Sequence, residues 1–141
     1  MTFAGINYLA VAIAAVAAWL ASAAWYMSLG RIYVAVLGKT PQQIDADRSK
    51  PGAYLPFIYA FIADVIIAWM LAGVIGHLGP GQVTLRNGVI SAAFIWFGFI
   101  LTTIAVNYSF AGRDRRLLLI DVGNWLAVLV VVGAVLGAFG V

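Results

Sequence analysis

Four long stretches of the sequence carry almost no charge, and each is long enough to cross a lipid bilayer as a helix. They run over residues 6–30, 54–76, 85–110 and 117–140. A membrane-spanning helix needs about 20 mostly apolar residues. The chain of 141 residues is 65% hydrophobic and 9% charged, whereas a soluble domain is about one quarter charged. We therefore expect an all-α, polytopic membrane protein, folded as one domain of residues 1–141 around a bundle of four transmembrane helices.

The first stretch is expected to be a membrane span and not a cleaved signal peptide. The segment before it, Met1-Thr2-Phe3-Ala4, contains no Lys or Arg, and the apolar run that follows is longer than a signal peptide needs.

The basic residues are concentrated in two loops on one side of the membrane. Residues 31–53 carry Arg31, Lys39, Arg48 and Lys50, and the loop before the fourth span carries Arg113, Arg115 and Arg116. The opposite side has only Arg86 and His77. Because cytoplasmic loops carry an excess of Lys and Arg, we expect both basic loops in the cytoplasm, against lipid headgroups, and both termini outside. Basic residues dispersed over short loops do not indicate nucleic-acid binding.

The loop of residues 31–53 contains one recognisable local structure. Thr40-Pro41-Gln42-Gln43 has the pattern of a capping box with proline in the first turn, which predicts a short helix through Asp47. Residues 31–37 either extend the first span or lie in the membrane interface. Pro51-Gly52 predicts a turn back into the membrane.

Small residues recur at helical spacing along the spans, which indicates close packing of the helices in lipid. The first two spans and the fourth show this pattern at Ala10, Ala14, Ala18 and Ser22, at Ala60, Asp64, Ala68, Ala72 and Gly76, and at Gly133 and Gly137. Aromatic residues near the inner ends of the spans, among them Tyr26, Tyr33, Tyr54 and Tyr108, are expected to be interfacial anchors.

Asp64 is the polar residue that lies deepest in a predicted span. It follows Tyr54 by ten residues, which places it about 15 Å into the membrane, near its midplane. A carboxylate there costs several kcal/mol unless it is paired, hydrated or protonated. Two interpretations stay open: a cation- or proton-binding group, or a buried acid that only fixes the packing.

Further polar residues fall in the same half of the membrane as Asp64. They are Trp25 in the first span, Thr103 and Asn107 in the third, and Asp121 and Asn124 in the fourth. We expect them to surround one polar pocket that opens toward the basic loops. The alternative is structural: Asp121 pairs with one of the neighbouring arginines, and the amides and threonines hydrogen-bond between helices.

The sequence gives no sign of enzymatic activity. It lacks the common hydrolase, nucleotide-binding and metalloprotease motifs. It has no cysteine and only one histidine, so we expect no metal site, no cofactor and no catalytic residues.

Several short motifs resemble a bacterial membrane protein family, the one catalogued as domain of unknown function 1761. They are Asn7-Tyr8-Leu9-Ala10 with Trp25-Tyr26-Met27-Ser28, Gly98-Phe99 with Thr102-Thr103, Phe110-Ala111-Gly112-Arg113, and Ile120-Asp121-Val122-Gly123-Asn124-Trp125. Leu29-Gly30 stand where the family usually has a proline, which leaves open whether the first helix kinks there, and Ala111 stands where it has Glu. The resemblance implies four helices in a bacterial inner membrane and draws attention to Trp25, Tyr26, Gly112, Arg113, Asp121 and Gly123. It implies no activity.

Two functions are compatible with these features. The first is a small transporter or channel that works as a homo-oligomer, with Asp64 binding a cation or a proton. The second is a non-enzymatic accessory or structural subunit that binds lipid or another membrane protein.

Overall fold

The computed structural model describes residues 5–140, and all regular structure in this part of the chain is helical. The helices are α1 (Tyr8–Leu37), α2 (Pro41–Arg48), α3 (Leu55–Gly76), α4 (Leu85–Phe110) and α5 (Arg115–Phe139). All but α2 are long and apolar enough to cross a membrane. The predicted all-α bundle with four membrane spans is thus confirmed. The signal-peptide argument rests on Met1–Ala4, which lie outside the described residues.

Helix α1 includes residues 31–37. It begins after Asn7, whose side chain accepts a hydrogen bond from the Ala10 backbone N–H (3.1 Å). It passes through Gly30 without a break and ends at Leu37. Of the two alternatives for residues 31–37, the structure shows the helix extension, because no proline interrupts the helix. The chain leaves the helix at Gly38, whose φ of 66° is readily available only to glycine.

The predicted short helix in the long loop is confirmed as α2. Thr40 Oγ1 accepts a hydrogen bond from the Gln43 N–H (3.2 Å), and the Gln43 side chain accepts one from the Thr40 N–H (2.9 Å). Both bonds of the capping box are present, with Pro41 in the first turn. A turn over residues 51–54 then leads into α3.

The spans pack as antiparallel pairs, and α5 lies at the centre of the arrangement. It packs against both α1 and α4, while α3 packs mainly on α1. Between α4 and α5 the backbones touch: a Cβ on Gly88 would overlap the Gly133 carbonyl group, and one on Gly137 would overlap the Thr84 carbonyl group. The GxxxG pair of the fourth span therefore has the packing role that its sequence predicted.

Helix α4 changes its winding halfway along. Residues Trp96–Leu101 form a π-helical segment, in which each turn contains an extra residue. Thr102 Oγ1 donates a hydrogen bond to the Gly98 carbonyl oxygen (2.8 Å), and Trp96 Nε1 donates one across to the Val122 carbonyl oxygen on α5 (2.8 Å). Before this segment α4 packs tightly on α5, whereas beyond it α4 has few neighbours.

The bundle therefore has a sealed half and a splayed half. The sealed half holds the apolar core. Core residues lie within 10–18 of α1, 68–75 of α3 and 128–136 of α5, together with Ala92 of α4 and Ile6, which precedes α1. In the splayed half, α1 and α5 stay together, but no residue is buried in 55–63 of α3 or in 93–110 of α4. The splayed half ends at the two basic loops, residues 38–54 and 111–114, which we call the basic end.

Candidate functional site

Asp64 is placed where the sealed half meets the splayed half. It is the first buried residue of α3 counted from the basic end, only 2% exposed, and it shares a face with the core residues Ala68 and Ala72. No residue in 5–140 donates a hydrogen bond to its carboxylate. The oxygens of Asp64 are still partly accessible. In the described part of the chain, every fully enclosed side-chain oxygen has a hydrogen-bond partner, and Asp64 has none.

Asn124 links α5 to α1. The Ser22 hydroxyl donates a hydrogen bond to Asn124 Oδ1 (2.8 Å), and the Asn124 side chain is only 4% exposed. A hydrogen bond of this kind between two helices is the structural role that polar side chains most often have in membranes.

Asp121 lies nearer the basic end and is held by two tyrosines. Tyr26 Oη on α1 donates a hydrogen bond to Asp121 Oδ1 (2.6 Å), and Tyr108 Oη on α4 donates one to Oδ2 (2.5 Å). Tyr33 packs edge-on against Tyr26, with ring centroids 5.2 Å apart. We call Tyr26, Tyr33, Tyr108 and Asp121 the tyrosine–carboxylate cluster. It joins α1, α4 and α5 just where α4 has lost its other contacts.

Trp25 supports this cluster from the preceding position. Its indole N–H donates a hydrogen bond to the Ile120 carbonyl oxygen (3.0 Å). A Cβ on Gly123 would lie 2.6 Å from Cζ2 of the Trp25 ring, so only glycine leaves room for the ring at this place. The Trp25-Tyr26 and Asp121-Val122-Gly123-Asn124 motifs are thus two sides of one contact between α1 and α5.

The single polar pocket predicted from the sequence does not form. Thr103 and Asn107 are exposed on the outer surface of α4 in the splayed half. Within residues 5–140, Asp64 accepts no hydrogen bond, Asn124 accepts one from Ser22, and Asp121 accepts two from tyrosines. No hydrogen bond joins these three polar residues to one another. The expectation failed because the π-helical segment changes which face of α4 meets α5, a change that regular helical spacing does not anticipate.

The predicted pairing of Asp121 with a neighbouring arginine was also wrong. Among residues 5–140, Asp121 forms no ion pair, and it accepts hydrogen bonds from tyrosines instead. Arg116 pairs with Asp114 (Nη2 to Oδ2, 2.9 Å). The guanidinium of Arg116 lowers the pKa of the Asp114 carboxyl below its ordinary value.

The basic residues of the long loop lie around α2. Lys39 and Lys50 both contact Asp47, at 2.6 and 2.5 Å, and these ammonium groups lower the Asp47 pKa from 3.8 to about 2. Arg31 and Arg48 line a shallow groove between α1 and α2. Arg113 and Arg115 line a second cavity, at the turn between α4 and α5.

The sequence does not identify the two tyrosines as the partners of Asp121, although the family resemblance draws attention to Tyr26. It predicts interfacial anchors at Tyr26 and Tyr108, because aromatic residues at span ends usually have that role. The available signal was their position: a carboxylate one turn inside a span needs donors, and both tyrosines lie at the same membrane depth as Asp121. Within residues 5–140, no three His, Asp or Glu side chains lie close enough together to bind a metal ion.

The fold and the polar contacts define a polytopic helical membrane protein with a tyrosine–carboxylate cluster at one end and an isolated acid near its middle. Residues 9–137 match the model of the family described as "Protein of unknown function (DUF1761)". The match covers most of the chain, and the chain belongs to this family. Comparison with curated proteins and with solved structures gave no match.

Proposed function

We propose that the protein is a small, non-enzymatic transporter or channel for protons or small cations, and that it works as a homo-oligomer with Asp64 as the binding group. The observation that carries this proposal is the position of Asp64. Its carboxylate is buried at membrane depth and has no hydrogen-bond donor among residues 5–140. An acid that only stabilised the fold would be expected to have a partner, as Asp121 and Asn124 do.

The two halves of the bundle support a route that reaches Asp64 from one side. Between Asp64 and the basic end, none of residues 55–63 of α3 is buried. On the other side of Asp64, Ala68 and Leu71 belong to the core. With the basic loops in the cytoplasm of a bacterial inner membrane, as the charge distribution favours, this route opens inward and both termini lie outside. The sealed half is then the barrier that must open transiently.

The exposed side of α4 supports assembly with further copies. Thr103 and Asn107 face outward there among large apolar side chains. Polar groups that meet lipid gain hydrogen bonds when a second helix covers them. A second copy placed there would also cover the exposed side chains of the splayed half.

The test is cation flux in proteoliposomes. Purified protein is reconstituted with a pH-sensitive dye inside, and proton entry is followed after a jump in external pH, with and without Na⁺ or K⁺ gradients. The Asp64→Asn variant is expected to lose the flux, and Asp64→Glu to keep a measurable part of it. Asp45→Asn is the matched control, because it removes a carboxylate from exposed α2. A wild-type protein without proton, Na⁺ or K⁺ flux, or an Asp64→Asn variant with unchanged flux, contradicts the proposal.

A second candidate is an accessory subunit that binds another membrane protein. The exposed aromatic side chains of α4, Phe94, Phe97, Phe99 and Phe110, favour it. In that case Asp64→Asn leaves function intact and stabilises the bundle, because it removes a buried carboxylate that costs about 2.5–3.5 kcal/mol at a membrane centre.

A further inference from the structure

The turn between α4 and α5 forms one wall of an open surface cavity that has no role in the proposal for Asp64. Its volume is about 270 Å³. The lining residues come from the end of α4, the turn and the start of α5, namely Tyr108, Ser109, Gly112, Arg113, Arg115 and Leu118. The cavity thus combines two guanidinium groups with a hydroxyl group.

The two arginines are free to bind a ligand. Neither Arg113 nor Arg115 forms an ion pair with any carboxylate in residues 5–140. The nearest acid in the sequence, Asp114, is occupied: it caps the first turn of α5 and holds Arg116 through two further contacts (3.2 and 2.9 Å). Asp121, the other neighbouring acid, is bonded by two tyrosines. The cavity therefore has an excess of positive charge.

Guanidinium groups select phosphate. Each presents paired N–H donors that match two phosphate oxygens, and such charge-assisted hydrogen bonds are about twice as strong as neutral ones. The Ser109 hydroxyl in the same wall adds one more donor.

The position of the cavity indicates a lipid and not a soluble phosphate. Tyr108 lines the cavity and is bonded to α5 at the end of the apolar part of α4, where headgroups meet the protein. Leu118 forms an apolar part of the wall, and Phe110, which follows the lining residue Ser109 in the chain, is 91% exposed. Basic pockets of this kind between transmembrane helices bind anionic headgroups.

We propose that the cavity between α4 and α5 binds the phosphate of an anionic phospholipid, with Arg113 and Arg115 as the ligating residues and Leu118 and Phe110 against the acyl chains. This site is independent of Asp64, and the binding assay does not require any transport activity.

The experiment is native mass spectrometry of the full chain in mild detergent, titrated with phosphatidylglycerol and, separately, with phosphatidylcholine. Wild-type protein is expected to bind one molecule of phosphatidylglycerol more tightly than phosphatidylcholine. The Arg113→Gln/Arg115→Gln variant is expected to lose affinity at least tenfold, which corresponds to about 1.4 kcal/mol, because both charge-assisted contacts to the phosphate are removed. The Arg31→Gln/Arg48→Gln variant, which removes the same charge at the same end outside the cavity, is expected to change affinity by less than about twofold.

Three results overturn the proposal. They are an absence of preference for phosphatidylglycerol, an equal loss in both double variants, and displacement of the lipid by an equal concentration of inorganic phosphate. The last result assigns the cavity to a soluble anion. If the glutamine variant fails to fold, Arg113→Lys/Arg115→Lys decides the question. It keeps the charge but loses the paired donors, so binding as strong as in wild type contradicts a guanidinium site.

Discussion

The tyrosine–carboxylate cluster makes a quantitative prediction about stability. Tyr26 and Tyr108 each donate one hydrogen bond to a different oxygen of Asp121. A hydrogen bond to a charged group is worth about 1.5–3 kcal/mol in soluble proteins, whereas interhelical bonds in membranes reach about 1.7 kcal/mol at most. Since Asp121 is only half-buried, we expect Tyr26→Phe and Tyr108→Phe each to cost about 1–1.5 kcal/mol.

The double variant should cost more than the sum of the single variants. With one tyrosine removed, the other still donates to the carboxylate, but with both removed a charged group is left inside the bundle without its donors. An acceptor left without any donor inside a protein costs about 1–3 kcal/mol, and more when it is charged. We therefore expect the double variant to exceed the sum by about 1 kcal/mol or more. Replacing Asp121 with Leu in this background should recover part of the loss, because no charge then remains unpaired.

The measurement is reversible unfolding of the purified protein in mixed micelles, with helix content followed by circular dichroism as the denaturing detergent increases. Tyr59→Phe is the matched control, because Tyr59 is 63% exposed on α3 and makes no hydrogen bond within the described part of the chain. Single variants within about 0.3 kcal/mol of wild type, or a strictly additive double variant, would refute the account of the cluster.

Two further predictions follow from the packing and the charges. Gly133→Val should prevent the close approach of α5 to Gly88 and destabilise the bundle by about 3 kcal/mol or more. Gly73→Val should be well tolerated, because the space at its Cβ position is open. Thermal unfolding of both variants in detergent measures the difference. Lys39 and Lys50 lower the Asp47 pKa to about 2. The two ion pairs of Asp47 therefore contribute fully to stability above pH 3.8, and this contribution is lost as the pH falls through about 2. Carboxyl NMR titration should find this low value, and Lys39→Met should raise it; a midpoint near 3.8 in the wild type contradicts the assignment.

The membrane spans and their order were predictable because they depend on quantities that a sequence shows directly. Apolar length set the spans, and the capping box located α2. The extension of α1 to Leu37 was left open, since residues 31–37 suit either an interface or a helix. The structure resolves this point because nothing after Gly30 stops the helix before Gly38.

The arrangement of the polar residues was less predictable, because it depends on how α4 is wound. A regular helix would keep one face of α4 toward α5 along its whole length. The π-helical segment Trp96–Leu101 adds a residue to the winding, and Thr103 and Asn107 end on the outer surface. Asp121 was recognised as important, but its partners come from positions far apart in sequence, so spacing did not identify Tyr26 or Tyr108.

The family motifs now have a physical explanation. Trp25 needs the space that Gly123 leaves, and Tyr26 needs the carboxylate of Asp121. The turn motif ends in Gly112 and Arg113, which line the cavity between α4 and α5. The contacts of Trp25 and Tyr26 lie within the spans, nearer the basic end, while Asn7 caps α1 at the opposite end and Asp64 lies apart from both. We infer that the motifs maintain the contact of α1, α4 and α5, and that transport, if Asp64 carries it, uses a different part of the bundle.

The central claim is that water reaches Asp64 from the basic end and not from the sealed half. Because the chain contains no cysteine, single cysteines report accessibility without background. Cysteines at positions 60, 64 and 68 follow one face of α3 through the boundary, and a membrane-impermeant thiol reagent is added from each side of oriented vesicles. We expect reaction at positions 60 and 64 from the side of the basic loops and no reaction at position 68 from either side. Equal protection of all three positions, or reaction at position 64 only from the opposite side, would contradict the account.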